Sequence, residues 1–122
     1  MRAFMSAAEA ASSAAEASRI AMHGLVDLVL RRRQVVAAMS RDPEVRRVVE
    51  AHAEYRTLTT RLGQLLMGPR PDTRRRVAVS VVASGMAHAG VDPSLADLDD
   101  AALRVELLEV GSVLLAATAP GA

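Results

Sequence analysis

The 122-residue sequence contains no Cys, Trp, Lys or Asn, and only one Phe, one Tyr and one Ile. Without Cys there can be no disulfide, no thiolate metal site and no cysteine nucleophile, which suits a reducing, cytoplasmic setting. With Phe4 and Tyr55 as the sole aromatics, the core must be built from aliphatic side chains. No run approaches the roughly 18 consecutive apolar residues of a membrane span, so no membrane association is expected. Arg2 and the alanines after it faintly suggest a leader, but Glu9 and Glu16 interrupt any apolar stretch, and the segment reads as helix. An excess of one charge is missing too. Fifteen basic residues face fourteen acidic ones for a net charge of +1, so no global field favours nucleic acid or an anionic surface.

What is present is Ala and Arg, 24 and 15 residues, the amino acids of GC-rich codons, as in a bacterium with a GC-rich genome. The length suits one domain over 1–122, with 1–18 as a linker helix and 119–122 as a tail. From Ala3 to Leu30 there is no Pro and a single Gly, so a long first helix is expected. Its first half offers only Ala and Ser for docking and should pack weakly. A second helix over Arg32 to Ser40 either continues the first or bends from it. Asp42-Pro43-Glu44 signals the start of a third helix, and Gly68-Pro69 its end. A fourth helix is capped by Asp72 or Thr73, runs through Ala89, and is closed by Gly90 and the Asp92-Pro93 turn. A fifth starts among Asp97, Asp99 and Asp100 and ends near Thr118. Val77 to Val82 alternates like a strand, yet no second strand candidate exists to pair with it. The fold class is therefore all-α, a bundle of about five helices.

The last two helices carry more apolar surface than one chain can cover. No charged residue occurs between Val77 and Ala89 other than His88, and Val110 to Ala119 is apolar all round. A homodimer is expected, with Val81, Gly85 and His88 of one helix and Leu107, Gly111 and Leu114 of the other forming a four-helix interface. Small residues there also follow from codon bias alone, but codon bias does not remove charge.

No phosphate loop, metal box or nucleophile elbow is present, so no enzyme, metal or cofactor is expected. His23, His52 and His88 fall on different helices, without the spacing of a ligand set. The third helix has an inward stripe in which His52, Tyr55 and Thr59 form a polar middle, with Leu62 following. This motivates a pocket for a mostly apolar ligand, with Met22, Val26 and Met86 as adaptable walls. Alternatively, those middle turns face water or bond to neighbouring helices. The triplets Arg31-Arg32-Arg33 and Arg74-Arg75-Arg76 lack interleaved aromatics and read as solvated faces at helix junctions.

The order of parts, a helix ending in Leu25-Val26-Asp27-Leu28-Val29-Leu30 and the arginine triplet, then Arg41-Asp42-Pro43-Glu44-Val45, then Leu65-Leu66-Met67-Gly68-Pro69 and two apolar helices, resembles a known family. It is similar to the C-terminal effector-binding and dimerisation domain of TetR-type transcriptional regulators of actinobacteria, over roughly Ala17 to Thr118. That resemblance implies a small apolar effector, pairing through the last two helices, and DNA binding by a helix-turn-helix head. Nothing in Met1 to Ser18 forms such a head, so no direct DNA binding is expected of this chain. The alternative role is a structural dimerisation or partner-binding module without a ligand.

Overall fold

The computed structural model describes residues 13–39 and 45–118. Four α-helices lie among them: α1 (Ala14–Met39), α2 (Val45–Met67), α3 (Thr73–Val91) and α4 (Asp100–Ala116). A short 3-10 turn, Pro93–Leu95, links the last two. The chain is all-helical over these residues, as expected, but the count differs. The first and second expected helices are one, because Arg31 to Gln34 contains neither Gly nor Pro and good helix formers carry α1 through. The Asp42-Pro43-Glu44 start signal lies outside the described residues. The alternating valines of Val77 to Val82 are helical.

Helix ends follow their local chemistry. Gly68 adopts φ +83°, the left-handed conformation that ends α2, and its N–H reaches the Gln64 carbonyl at 3.2 Å. Asp72 caps α3, accepting from the Arg75 backbone N–H at 2.7 Å. Asp99 caps α4 in the same way through Ala102 N–H at 2.7 Å. Gly90 does not close α3, which continues to Val91. Its missing side chain serves packing, since a Cβ there would sit 2.5 Å from Val29 Cγ1 and 3.3 Å from the Val29 carbonyl oxygen. The crossing of α1 and α3 needs a glycine at that point.

The helices run alternately up and down, so that the start of α1 and of α3 lies beside the ends of α2 and α4. α1 packs on all three others, and α3 packs on α2 and α4, whereas α2 and α4 make no close backbone approach to each other. The core is aliphatic. Leu25, Val26 and Val29 of α1, Leu62 and Leu66 of α2, Val79, Val82 and Met86 of α3, and Leu103, Leu107 and Leu115 of α4 are all buried. Each such side chain contributes about 1.5–3 kcal/mol of hydrophobic stabilisation. Arg104 and Asp27 pair across α4 and α1. No described helix is long and apolar enough to cross a membrane.

One arginine of each triplet is drawn into the fold, correcting the expectation of two solvated faces. Arg33 Nη1 donates to Asp100 Oδ1 at 3.0 Å, and its Nη2 to the carbonyls of Leu95 at 3.0 Å and Leu98 at 2.6 Å. Gln34 adds a bond to Asp100 Oδ2 at 2.8 Å. Arg32 lies over the Tyr55 ring, 4.6 Å from its centroid. Arg75, in the middle of the other triplet, is 6% exposed.

Candidate functional site: a groove between α2 and α4

Because α2 and α4 do not meet, a half-open groove of about 620 Å³ remains at the end of the bundle where α1 begins. Its size falls within the roughly 300–1,000 Å³ of small-molecule sites. Leu65, Leu66 and Met67 of α2 form one wall, and Leu108, Ser112 and Leu115 of α4 the other. Ala15, Ser18, Arg19, Met22 and His23 of α1 lie between them. The space exists because the first turns of α1 carry Ala and Ser, where bulkier residues would fill it. The small residues of this stretch were legible in the sequence, although most of the weakly docking half, Ser6 to Ser18, lies outside the described residues. That it leaves a groove depends on the separation of α2 from α4, which no local pattern encodes.

Arg75 lines the groove and ties its sides together. Its Nε and Nη2 donate to the Leu66 carbonyl at 3.2 and 2.8 Å. Its Nη1 donates to the Leu115 carbonyl at 2.9 Å and to Thr118 Oγ1 at 3.2 Å, and Nη2 reaches Ser18 Oγ at 3.4 Å. All five guanidinium N–H groups can be satisfied in this way. No carboxylate bonds the side chain among the described residues. The Leu66 and Leu115 carbonyls instead belong to the last turns of α2 and α4, where each helix end carries about half a negative charge, and Leu115 also accepts the Thr118 N–H at 3.1 Å. Two such ends offset one guanidinium.

The groove also carries Arg19 and Arg70, both exposed, and among the described residues no Asp or Glu lines it. His23 sits among these charges. Burial, reinforced by the positive fields of Arg104 and Arg19, lowers its pKa below the ordinary imidazole value. The neutral ring that results both donates and accepts hydrogen bonds.

Of the residues expected to bind a ligand, Met22 alone lines this groove. Val26, Leu62 and Met86 are packed in the core, and Tyr55 is buried as well. The Tyr55 hydroxyl is enclosed without a hydrogen-bond partner. Thr59 Oγ1 donates to the Tyr55 carbonyl of its own helix at 2.7 Å, as Thr57 and Thr60 do to Ala53 and Arg56. Of that polar middle Thr59 thus satisfies itself by bonding one turn back, while the Tyr55 hydroxyl stays enclosed in the core. The His52 side chain lies outside the described residues.

The residues expected at a dimer interface divide. Val81, Gly85 and His88 are exposed on α3, and Leu114 is half exposed on α4. A Cβ at Gly85 would meet nothing within 4 Å. His88 Nε2 lies 3.2 Å from Asp92 Oδ2. Asp92 accepts from the Ser94 N–H at 2.9 Å and hydroxyl at 2.8 Å, and these bonds, with His88 adding to them, hold its carboxyl below the usual range. Leu107 and Gly111 instead face inward. They belong with Leu103 and Leu115 to a stripe repeating every four residues, and a Cβ on Gly111 would press into Met86 and Met22. The outward apolar residues of α4 are Val105, Val110, Val113 and Leu114, and on α3 Val77 accompanies Val81.

Among the described residues, no three His, Asp or Glu side chains are placed to hold a metal ion. Compared with known proteins, the chain matches no family profile, no curated protein and no solved structure.

Proposed function

We propose that this chain is a non-catalytic, small-molecule-binding module that works as a pair of copies, the role implied by its resemblance to the effector domain of TetR-type regulators. The observation that carries the proposal is the groove between α2 and α4, whose volume and aliphatic lining suit a mostly apolar ligand. It replaces the pocket expected beside Tyr55 and Met86. DNA contact is not assigned to this chain, since each arginine triplet commits a member to internal bonds. A thermal-shift screen against apolar metabolites tests the reading, because a ligand bound only by the folded state raises the melting temperature. Ser112→Trp, an exposed groove position, should abolish the shift while leaving the fold intact. A shift that survives Ser112→Trp places binding elsewhere.

Pairing without a ligand is the second reading, and the exposed valines of α3 and α4 favour it: Val81 is 62% and Val113 67% exposed. A second copy laid over both helices would remove this surface from water. Val81→Arg combined with Val113→Arg should turn a dimer into a folded monomer in sedimentation velocity, because neither side chain supports the core. A dimer unchanged by both substitutions refutes the face.

A further inference from the structure

We infer that the groove is built for an anionic amphiphile, an unbranched aliphatic chain ending in a free carboxylate. This rests on the groove being the binding site and adds the chemistry of its occupant. Three observations converge on it. Among the described residues the walls are chiefly Leu and Met side chains, with Ala15, Pro69 and Ala116 and no aromatic ring, so they offer adaptable contact to a flexible chain and no stacking surface to a planar ring. Every ionisable group among the described lining residues is basic: Arg19 and Arg70 at the exposed rim, His23 beside Arg19, and Arg75 in the wall. Neither Arg19 nor Arg70 makes an ion pair among the described residues.

The acidic residues nearest in sequence stand outside the lining. Asp72 accepts the Arg75 backbone N–H as a helix cap and does not line the groove, and Glu16 lies on α1 outside the lining. Arg75 has its donors occupied by helix-end carbonyls, so it contributes field and wall, not a free hydrogen bond. That leaves Arg19 and Arg70 to meet a carboxylate at the mouth, where a charged head stays partly in water while its chain enters between α2 and α4. A cationic or zwitterionic amphiphile meets repulsion at the same rim. A neutral one gains the wall contacts only.

The test is isothermal titration calorimetry of the full chain with decanoate, decanol and decylamine below their aggregation concentrations. Decanoate should bind roughly tenfold more tightly than decanol, as expected for a charge-assisted contact at an accessible rim. Decylamine should bind more weakly than either. Arg19→Ala with Arg70→Ala should lower decanoate affinity to the decanol level and leave decanol unchanged, and both positions are exposed, so the fold is not at stake. A bound carboxylate should also raise the His23 pKa in an NMR titration, whereas decanol should not. Equal affinity for decanoate and decanol, with both lost in Ser112→Trp, overturns the anion while keeping the groove as a binding site. Binding by none of the three overturns the anion and the aliphatic-ligand reading together. A His23 pKa unmoved by bound decanoate places the carboxylate elsewhere and overturns the proposal.

Discussion

The two ends of the bundle are each closed by an arginine, and they solve the same problem differently. At one end Arg75 is buried, bonded to carbonyls from the last turns of two helices and to two hydroxyls, with no carboxylate partner. At the other, Arg33 joins α1 to the turn and to the start of α4 through an Asp100 ion pair and two loop carbonyls. Its side chain is 16% exposed and that of Asp100 44%. The difference follows from which helix ends are present. Where α2 and α4 finish, the helix-end carbonyls already supply partial negative charge, and a carboxylate would be redundant. Where α4 begins, the exposed N–H groups favour an anion, so Asp99 and Asp100 sit there and an arginine is needed to balance them.

This contrast can be broken most sharply at Arg75. Arg75→Ala should destabilise the chain by about 3–5 kcal/mol in urea unfolding, because several charge-assisted bonds are lost and the Leu66 carbonyl loses both of its side-chain donors. Arg75→Lys should recover only part of that, since an ammonium lacks the planar fork that reaches α2 and α4 at once. A cost below about 1 kcal/mol for Arg75→Ala would mean that the joint is decorative.

Arg33→Ala should cost less, about 1–2 kcal/mol, and the cost should shrink in 1 M salt as the half-exposed ion pair is screened. The Arg75→Ala cost should hold at the same salt, because its partners are enclosed. Equal salt sensitivity at the two ends would erase the distinction. The smallest effect concerns His23 at the Arg75 end. Its pKa is lower in the folded chain, so the unfolded chain binds the proton more readily. The stabilisation is complete above the ordinary imidazole value and is lost as pH falls below it. Melting temperatures should therefore drop between pH 7.5 and 5.5, and His23→Gln should lessen that drop. An identical drop in His23→Gln would assign the effect to other groups.

Much of the helical framework was legible in the residues, because caps and breaks act within a few positions. Gly68-Pro69, Asp72 and the aspartates before α4 mark helix ends where the structure has them. Gly90 misled because it resembles a stop, yet its role is set by Val29, 61 positions away in the chain. The site was harder for the same reason. Thr59 and Tyr55 looked like convergent polar groups, but one bonds its own helix and the other is sealed in the core. Leu107 and Gly111 were drawn outward by the apolar composition of α4, whereas their spacing from Leu103 and Leu115 puts them inside. The arginine triplets gave no sign of which member would turn inward, since that depends on where distant carbonyls lie.

The Arg75 joint also sets an order of events in time. Its partners lie 9, 40, 43 and 57 positions away along the chain, and two of them, Leu115 and Thr118, lie at and just past the end of α4. A nascent chain emerging from the ribosome has Ser18 and Leu66 in hand long before these acceptors exist. Until they appear, the guanidinium has no enclosed site, and burying it would be costly. The joint therefore closes only once α4 has formed. That makes the last helix the checkpoint of folding, and truncation within its final turn more damaging than the few residues removed would suggest.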